Sequence, residues 1–246
     1  MHWESFFTEP KNISDKELII SGNEAHHLSR VMRRNKGDII WVVDGQGGVY
    51  EAEIIEKEKK RVRCEILSKR RRIGEPVVSL TLAQAVLKGE RFELLIQKAV
   101  EIGVGRIIPM ISERTIVKPG KNKKARWTNI ARSAMKQCGR SILPEITEPI
   151  PLKKVLSQGI NCSYRFIAHA HKNSKSLQHY FTESADLSHK KVLIVVGPEG
   201  GFTEEEVTMA EDQGFITISL GPRRLRAETA GIVLTALVLF QLGELG

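Results

Sequence analysis

The chain has 246 residues, of which 41% are apolar, with a net charge of +9 and a pI of about 9.5. That is ample for one or two cores, and the basic excess suits a polyanionic partner without saying anything about fold. Three cysteines (Cys64, Cys138, Cys162) with no CxxC argue against a disulfide framework or a zinc ribbon, and no apolar run approaches the about 20 residues that a membrane span needs.

The start, Met1 to Phe7, lacks a basic n-region and a long apolar run, so no secretory signal is read there and a soluble, cytoplasmic protein is expected. Residues 1–72 read as a small β-rich unit. Strands are expected at 17–21, 38–44, 49–57 and 61–68, with a hairpin turn at Gly45-Gln46-Gly47-Gly48 and a helix over 22–33. The basic run Lys69-Arg70-Arg71-Arg72, ending in Gly74 and Pro76, reads as a linker to a second domain over 73–246.

After Pro76 the pattern changes. Residues 77–86 form a nearly unbroken β-rich run, the signature of a strand buried on both faces. Residues 91–102 place Phe92, Leu95, Ile96, Ala99 and Val100 on one helical face. A strand at 106–111, a basic helix at 121–139, a short helix at 151–156, a strand at 164–168 and a helical turn at 177–181 follow. Two further strands, 192–196 and 215–220, each run into Gly-Pro and then a helix, at 204–213 and 227–242. Strands alternating with helices imply right-handed βαβ units and a parallel sheet. Two matched strand–loop–helix passages can place two glycine loops at one sheet end, where open α/β sheets bind ligands.

The loop Gly197-Pro198-Glu199-Gly200-Gly201 has neither the Gly-Lys-Ser/Thr of a P-loop nor a GxGxxG. Thr203 and Glu206 form a capping box for the next helix. Alone, the loop is a turn plus a capped helix. The second loop, Leu220-Gly221-Pro222-Arg223-Arg224-Leu225-Arg226, raises the ligand-site reading to an even match. Three arginines at a helix mouth, where the dipole disfavours cations, either splay into solvent and pair with Glu199 and Glu228, or face an anion or polar base. The second reading is preferred for Arg226.

Residues 113–140 hold nine basic residues against one acid, Glu113, a net +8 in 28 residues. A charge run is usually a solvated face, but this imbalance fits contact with a phosphate backbone. Arg114, Lys118, Lys123, Lys124 and Arg126 are the expected RNA contacts here, with Arg30, Arg33 and Arg34 as a second patch. His169 and His171, and the pair His26-His27, lack a carboxylate or cysteine at useful spacing, so no metal site is expected. Val100-Glu101-Ile102-Gly103-Val104-Gly105 imitates a Rossmann loop but follows a helix and leads into a strand, so it reads as a helix C-cap.

The two C-terminal loops, Gly197-Pro198-Glu199-Gly200-Gly201-Phe202-Thr203 and Leu220-Gly221-Pro222-Arg223-Arg224-Leu225-Arg226-Ala227-Glu228-Thr229, resemble those of the RsmE family. Leu82-Ala83-Gln84-Ala85, Lys88-Gly89-Glu90-Arg91, Ser112-Glu113-Arg114 and Gln137-Cys138-Gly139-Arg140 are similar to its middle motifs. The resemblance covers the whole chain, loosely in the N-terminal unit. It departs at Ala227, Arg224 and Ser5, where the family often has Thr, an aliphatic residue and Arg.

The resemblance implies an α/β fold: a SPOUT-type parallel sheet with a C-terminal trefoil knot, preceded by a small PUA-like β-barrel domain that binds RNA. It implies a homodimer that uses S-adenosyl-L-methionine to methylate N3 of a uridine (1498 in the usual ribosomal RNA numbering) in 16S ribosomal RNA, within the small ribosomal subunit. Carried over by motif, the cofactor site comprises Ala168, His169, Val196, Gly197, Glu199, Gly200, Leu220, Gly221 and Leu225. Arg226 is expected to stabilise the anion that forms when N3 loses its proton; Glu199 either offsets the sulfonium or acts as base. The rivals are a non-catalytic RNA-binding or ribosome-assembly protein, which the basic patches alone would fit, and a nucleotide-dependent dehydrogenase, against which the missing GxGxxG counts.

Overall fold

A computed structural model describes residues 5–117, 119–120, 122–169, 177–180 and 190–246. Its contacts divide the chain into two compact units. The first takes residues up to Glu75 together with Arg132–Leu143; the second takes Pro76–Ala131 and Pro144–Gly246.

The first unit is a five-stranded sheet in the order β1-β3-β4-β5-β2, built from β1 (Ser5–Phe7), β2 (Glu17–Ser21), β3 (Ile39–Val43), β4 (Gly48–Lys57) and β5 (Arg61–Arg71). Alternate residues point to one face. Leu18, Ile20, Ile40, Val42, Ala52, Ile54, Val62 and Cys64 therefore share a core with Leu28 from above the sheet. Burial there pushes the Cys64 thiol up to about 12, so it behaves as an inert packing group. The helix expected over 22–33 is shorter: α1 (Gly22–His26) passes into a π-helical turn at His27–Val31, and the chain then turns at Arg33 with φ 53°.

The basic run expected as a linker is instead the end of β5, where Arg70 pairs with Val49 and Arg71 with Gly48. Exposed arginines do not prevent a strand, because the ladder satisfies the backbone while the side chains stay in water. The turn out of the sheet is anchored by Glu75. Its carboxylate accepts from Arg140 Nη2 at 2.8 Å, Arg140 Nε at 3.1 Å and the Ser141 and Ile142 amides, both at 2.8 Å. The Glu75 and Arg140 side chains are 3% and 4% exposed.

The second unit contains a wholly parallel sheet in the order β12-β10-β11-β6-β7-β8, with β9 also on β7. In chain order it comprises β6 (Ser79–Ala85), α2 (Arg91–Ile102), β7 (Arg106–Ile111), α3 (Lys123–Gln137), whose residues from Arg132 on fall with the first unit, β8 (Glu145–Ile146), β9 (Ile150–Pro151), α4 (Leu152–Gln158), β10 (Tyr164–Ala168), β11 (Lys191–Val196), α5 (Glu204–Asp212), β12 (Ile216–Ile218) and α6 (Ala227–Gln241). A 3₁₀ turn spans Leu177–Tyr180. β6 and β11 are buried almost throughout, the mark of strands covered on both faces.

α2 buries the five apolar residues read from its periodicity and packs on α6; Phe92 meets Trp127 of α3 at 4.7 Å. It ends at Gly103, φ 128°, where a Cβ would lie 2.8 Å from Pro76. The Rossmann-like stretch 100–105 is thus a helix end leading into β7.

Removing one member of a buried ion pair leaves the other charged and unsolvated, which costs about 3–5 kcal/mol. Glu75→Ala is therefore expected to destabilise the first unit by that order, read as a lower urea midpoint. Glu75→Gln, which keeps acceptors for the amides, should fall between it and the parent.

Candidate functional site

β10 lies between β11 and β12, and one row of the sheet sets the site. Ala168 is opposite Val196 of β11 on one side and Ile218 of β12 on the other. Three strands therefore end at one level, and the His169 amide continues the ladder by donating to Ile218 O at 3.1 Å. The loops that leave β11 and β12, residues 197–203 and 219–226, therefore begin at the same end of the sheet, one strand apart. Between them is a cavity of about 570 Å³, within the roughly 300–1,000 Å³ usual for small-molecule sites.

The sequence-predicted cofactor residues Ala168, His169, Val196, Gly197, Glu199, Gly200, Leu220, Gly221 and Leu225 all stand in its wall, as does Arg226. Gly221 has φ 98°, a conformation that a side chain would strain.

The first loop is held from three directions. Thr203 and Glu206 form the capping box of α5: the Glu206 amide donates to Thr203 Oγ1 at 3.2 Å and the Thr203 amide to Glu206 Oε2 at 3.1 Å. The other Glu206 oxygen accepts from the Glu113 amide at 2.8 Å, which ties the segment after β7 to α5. Next to Glu113, the Arg114 guanidinium donates to Gly200 O at 2.9 Å and Phe202 O at 3.2 Å. From below, fully buried Gln84 at the end of β6 donates from Nε2 to Gly197 O at 3.1 Å. The Glu205 carboxyl, in the first turn of α5, is held below the usual carboxylate range, first by its own backbone amide and then by the Thr203 hydroxyl.

The second loop enters α6 at Arg226, the N-cap residue, whose side chain does not cap the helix. Gly231 lets α6 lie close to β6, since a Cβ there would sit 2.5 Å from Gln84 Oε1 and 2.6 Å from Leu95 Cδ1. In the first turn of α6 the Glu228 side chain is 8% exposed and lies 3.9 Å from Arg91 Nε, while Arg91 Nη1 reaches Glu199 Oε1 at 3.4 Å. Arg91, at the start of α2, thus stands in the cavity wall against two carboxylates. Gln84 Oε1 and Glu228 Oε2 are buried with no hydrogen-bond partner among the described residues.

The basic residues expected to touch RNA divide into different roles. Arg114 is a clamp on the loop backbone. Arg126 pairs with Glu93 at 2.7 Å and Lys124 with Glu148 at 3.5 Å. In the second unit this leaves Lys123 exposed with no ion pair among the described residues, and Lys118 lies outside those residues. In the first unit Arg30 and Arg33 are exposed, whereas Arg34 is half-buried and its carbonyl accepts from Lys57 Nζ at 2.8 Å. His169 lies 3.9 Å from Glu204, and His171 is outside the described residues.

Sequence reasoning passed over Gln84 and Arg91 as site residues. The signal for Gln84 was available: it is the one polar residue between Leu82 and Val86, and a buried polar side chain needs a partner. Arg91 carried none, because a cation opening an amphipathic helix is ordinarily solvated.

Comparisons with known proteins bear on the same features. Residues 74–239 match the family described as an RNA methyltransferase domain, and residues 20–67 match an RNA methyltransferase PUA domain. A protein named ribosomal RNA small subunit methyltransferase E from Synechocystis sp. is 33% identical over 92% of this chain and 74% of its own. One of the same name from Bacillus subtilis is 31% identical over 90% and 89%. Among solved structures, a ribosomal RNA small subunit methyltransferase E from Neisseria gonorrhoeae bound to S-adenosyl methionine superposes with a TM-score of 0.85 at 32% identity, covering 97% of this chain and 98% of that one. A methyltransferase from Legionella pneumophila in complex with the same cofactor gives 0.86 at 31%, covering 98% of each.

The Arg114 contacts make a direct test of how the first loop is held. Arg114→Met keeps the stem and removes both donors, a loss of about 1 kcal/mol for an exposed pair of hydrogen bonds. Hydrogen exchange of the amides in 197–203 is expected to quicken about fivefold while those of β11 are unchanged. Unaltered exchange in the loop would show that the capping box and Gln84 hold it without Arg114.

Proposed function

The chain belongs to the ribosomal RNA small subunit methyltransferase E family of RNA methyltransferases, and from that premise we propose that it methylates 16S ribosomal RNA with S-adenosyl-L-methionine. We assign the reaction to N3 of a uridine, with RNA inside the small ribosomal subunit as substrate. The observation that carries this reading is the convergence of three strand ends and two glycine-bearing loops on one cavity with Arg226 in its wall.

The residues present fit the cofactor. Ala168, Val196, Leu220 and Leu225 offer apolar surface for its adenosine and carbon chain, and Gly197, Gly200 and Gly221 put no side chain of their own between it and the backbone. Glu199 is the one carboxylate among the residues of the cavity wall. When bound, the cofactor supplies a methyl group made electrophilic by its sulfonium.

The rest is the work of this chain. Uracil N3 carries a proton and becomes a nucleophile only on losing it, to Glu199 or to water, when negative charge spreads to the flanking carbonyl oxygens. The Arg226 guanidinium, exposed and without a protein partner among the described residues, stabilises that charge. Glu199, steadied by Arg91, sets a negative charge against the cofactor's positive one. The loop clamps, Gln84 and Arg114, keep these groups in place, so the reactants meet already oriented. A protein that only bound RNA would have no use for this preformed cavity.

Arg30, Arg33 and Lys123 are free to meet RNA phosphates, each within its own unit. We also infer a homodimer formed through α6. Leu237 and Phe240 on that helix are 40% and 58% exposed, and Leu94 on the adjoining α2 is 45% exposed, an apolar surface that a second copy would cover. The knotted C-terminal threading belongs to the same reading and is supported by the return of β12 beside β10 rather than β11. No helix among the described residues is long and apolar enough to cross a membrane, and we place the protein in the cytoplasm with its ribosomal substrate.

Mass mapping of 16S ribosomal RNA from a deletion strain, before and after addition of the protein and S-adenosylmethionine, should show one uridine gaining one methyl group. Absence of any methyl gain would sink the reading. Arg226→Ala is expected to lower kcat roughly 10²–10³-fold at saturating cofactor, with cofactor affinity little altered; parent-like turnover would remove Arg226 from the chemistry. Phe240→Asp with Leu237→Asp should halve the mass seen by light scattering, and an unchanged mass would place the dimer contact elsewhere.

A further inference from the structure

Resting on the methyltransferase reading, we propose that Arg223 and Arg224 form a phosphate clamp at the mouth of the cavity, gripping the RNA backbone next to the uridine whose base enters. The charge inventory of the wall leads there. Five arginines line the cavity: Arg91, Arg114, Arg223, Arg224 and Arg226. Two of them are engaged. Arg91 faces Glu199 and Glu228, and Arg114 is bonded to the carbonyls of Gly200 and Phe202. The other three are exposed, and their side chains make no hydrogen bond or ion pair among the described residues. Arg226, next to the helix, is assigned to the base. Arg223 and Arg224 are left without a counter-charge.

The cofactor cannot supply that counter-charge, because its sulfonium and ammonium outnumber its single carboxylate. Filling the site with it makes the wall more positive. Adjacent guanidiniums repel one another, and their place just before α6 sets them against the positive end of a fifteen-residue helix. Both costs turn into gains when an anion with several oxygens arrives.

A phosphodiester is that anion: guanidinium forks match phosphate oxygens in pairs, and arginine suits this better than lysine. Geometry agrees with charge. A base that enters a pocket must leave its stack, and the sugar–phosphate chain on either side is then drawn to the rim. Arg223 and Arg224 line the cavity and are exposed to solvent, in the loop that follows Gly221 and Pro222. Two tasks are thus separated within four residues: the paired arginines bind the backbone, and Arg226 serves the reacting ring.

Arg223→Ala, Arg224→Ala and the double variant test this, because neither side chain makes a hydrogen bond or ion pair among the described residues. The assay is steady-state methylation of small ribosomal subunits from a deletion strain, at saturating S-adenosylmethionine, from about 50 to 200 mM salt. For the double variant KM for the subunits should rise roughly five- to tenfold, and the dependence of log KM on log salt should flatten by roughly 1.4, at about 0.7 per phosphate contact to a single strand. Cofactor affinity by calorimetry should stay within about twofold of the parent. Arg223→Lys with Arg224→Lys should recover the salt slope, since the charges return, but only part of the KM.

A parent-like KM and slope in the double variant would overturn the clamp. Weakened cofactor binding with an unchanged slope would overturn it too, by assigning the pair to the methionine carboxylate. If the parent protein itself leaves the subunits unmethylated, the methyltransferase reading fails, and the clamp with it.

Discussion

The register of β10 between its two parallel neighbours is the constraint on which the rest of the second unit depends. Ala168 opposite both Val196 and Ile218 makes three strands end together. Parallel strands leave the sheet in the same direction, so their loops gather at one end. A shift of one residue in either pairing would flip every side chain of a strand to the other face. Close packing on β11 opposes that, because Val192 to Val196 are buried and a slip would set each side chain against a neighbour of a different shape. The hydrophobic core and the ligand site are thus set by one register.

The loops themselves carry little apolar surface and are held by polar contacts from elsewhere in the chain. Each contact meets a backbone group that would otherwise lack a partner. Gln84 takes the Gly197 carbonyl, Arg114 takes those of Gly200 and Phe202, and Glu206 takes amides from Thr203 and Glu113. These residues come from the ends of β6 and β7 and the start of α5, the rigid parts of the fold. A loop held in this way presents its amides in fixed directions, which is what electrostatic stabilisation of a changing charge requires.

Charge around the cavity follows a consistent plan. Arginines with structural work have protein partners, and those without them are exposed with none among the described residues. The same division holds along the basic stretch from 113 to 140. Arg126 and Lys124 are paired with acids, Arg114 with carbonyls and Arg140 with buried Glu75, whereas Lys123 is exposed with no such pair among the described residues. The excess of positive charge was a sound pointer to a polyanionic partner, but it did not distinguish the residues that meet the partner from those that hold the fold.

What the amino-acid sequence determined by itself was local. The period of α2, the capping box before α5, the positive-φ glycine after Ile102 and the two Gly-Pro loops each depend on a few consecutive residues, and each stands in the structure where the pattern placed it. The loop motifs also carried the family resemblance, and with it the cavity residues. The tertiary structure decided what depends on distant partners. The run ending at Arg71 became a strand because β4 offers it a ladder, the helix expected to reach Arg33 stopped at a π turn, and Arg114 became a clamp because Gly200 lies beside it. A hydrogen bond between residues 86 positions apart leaves no periodic trace in the chain. Its partners are chosen by packing, and only the folded molecule brings them together.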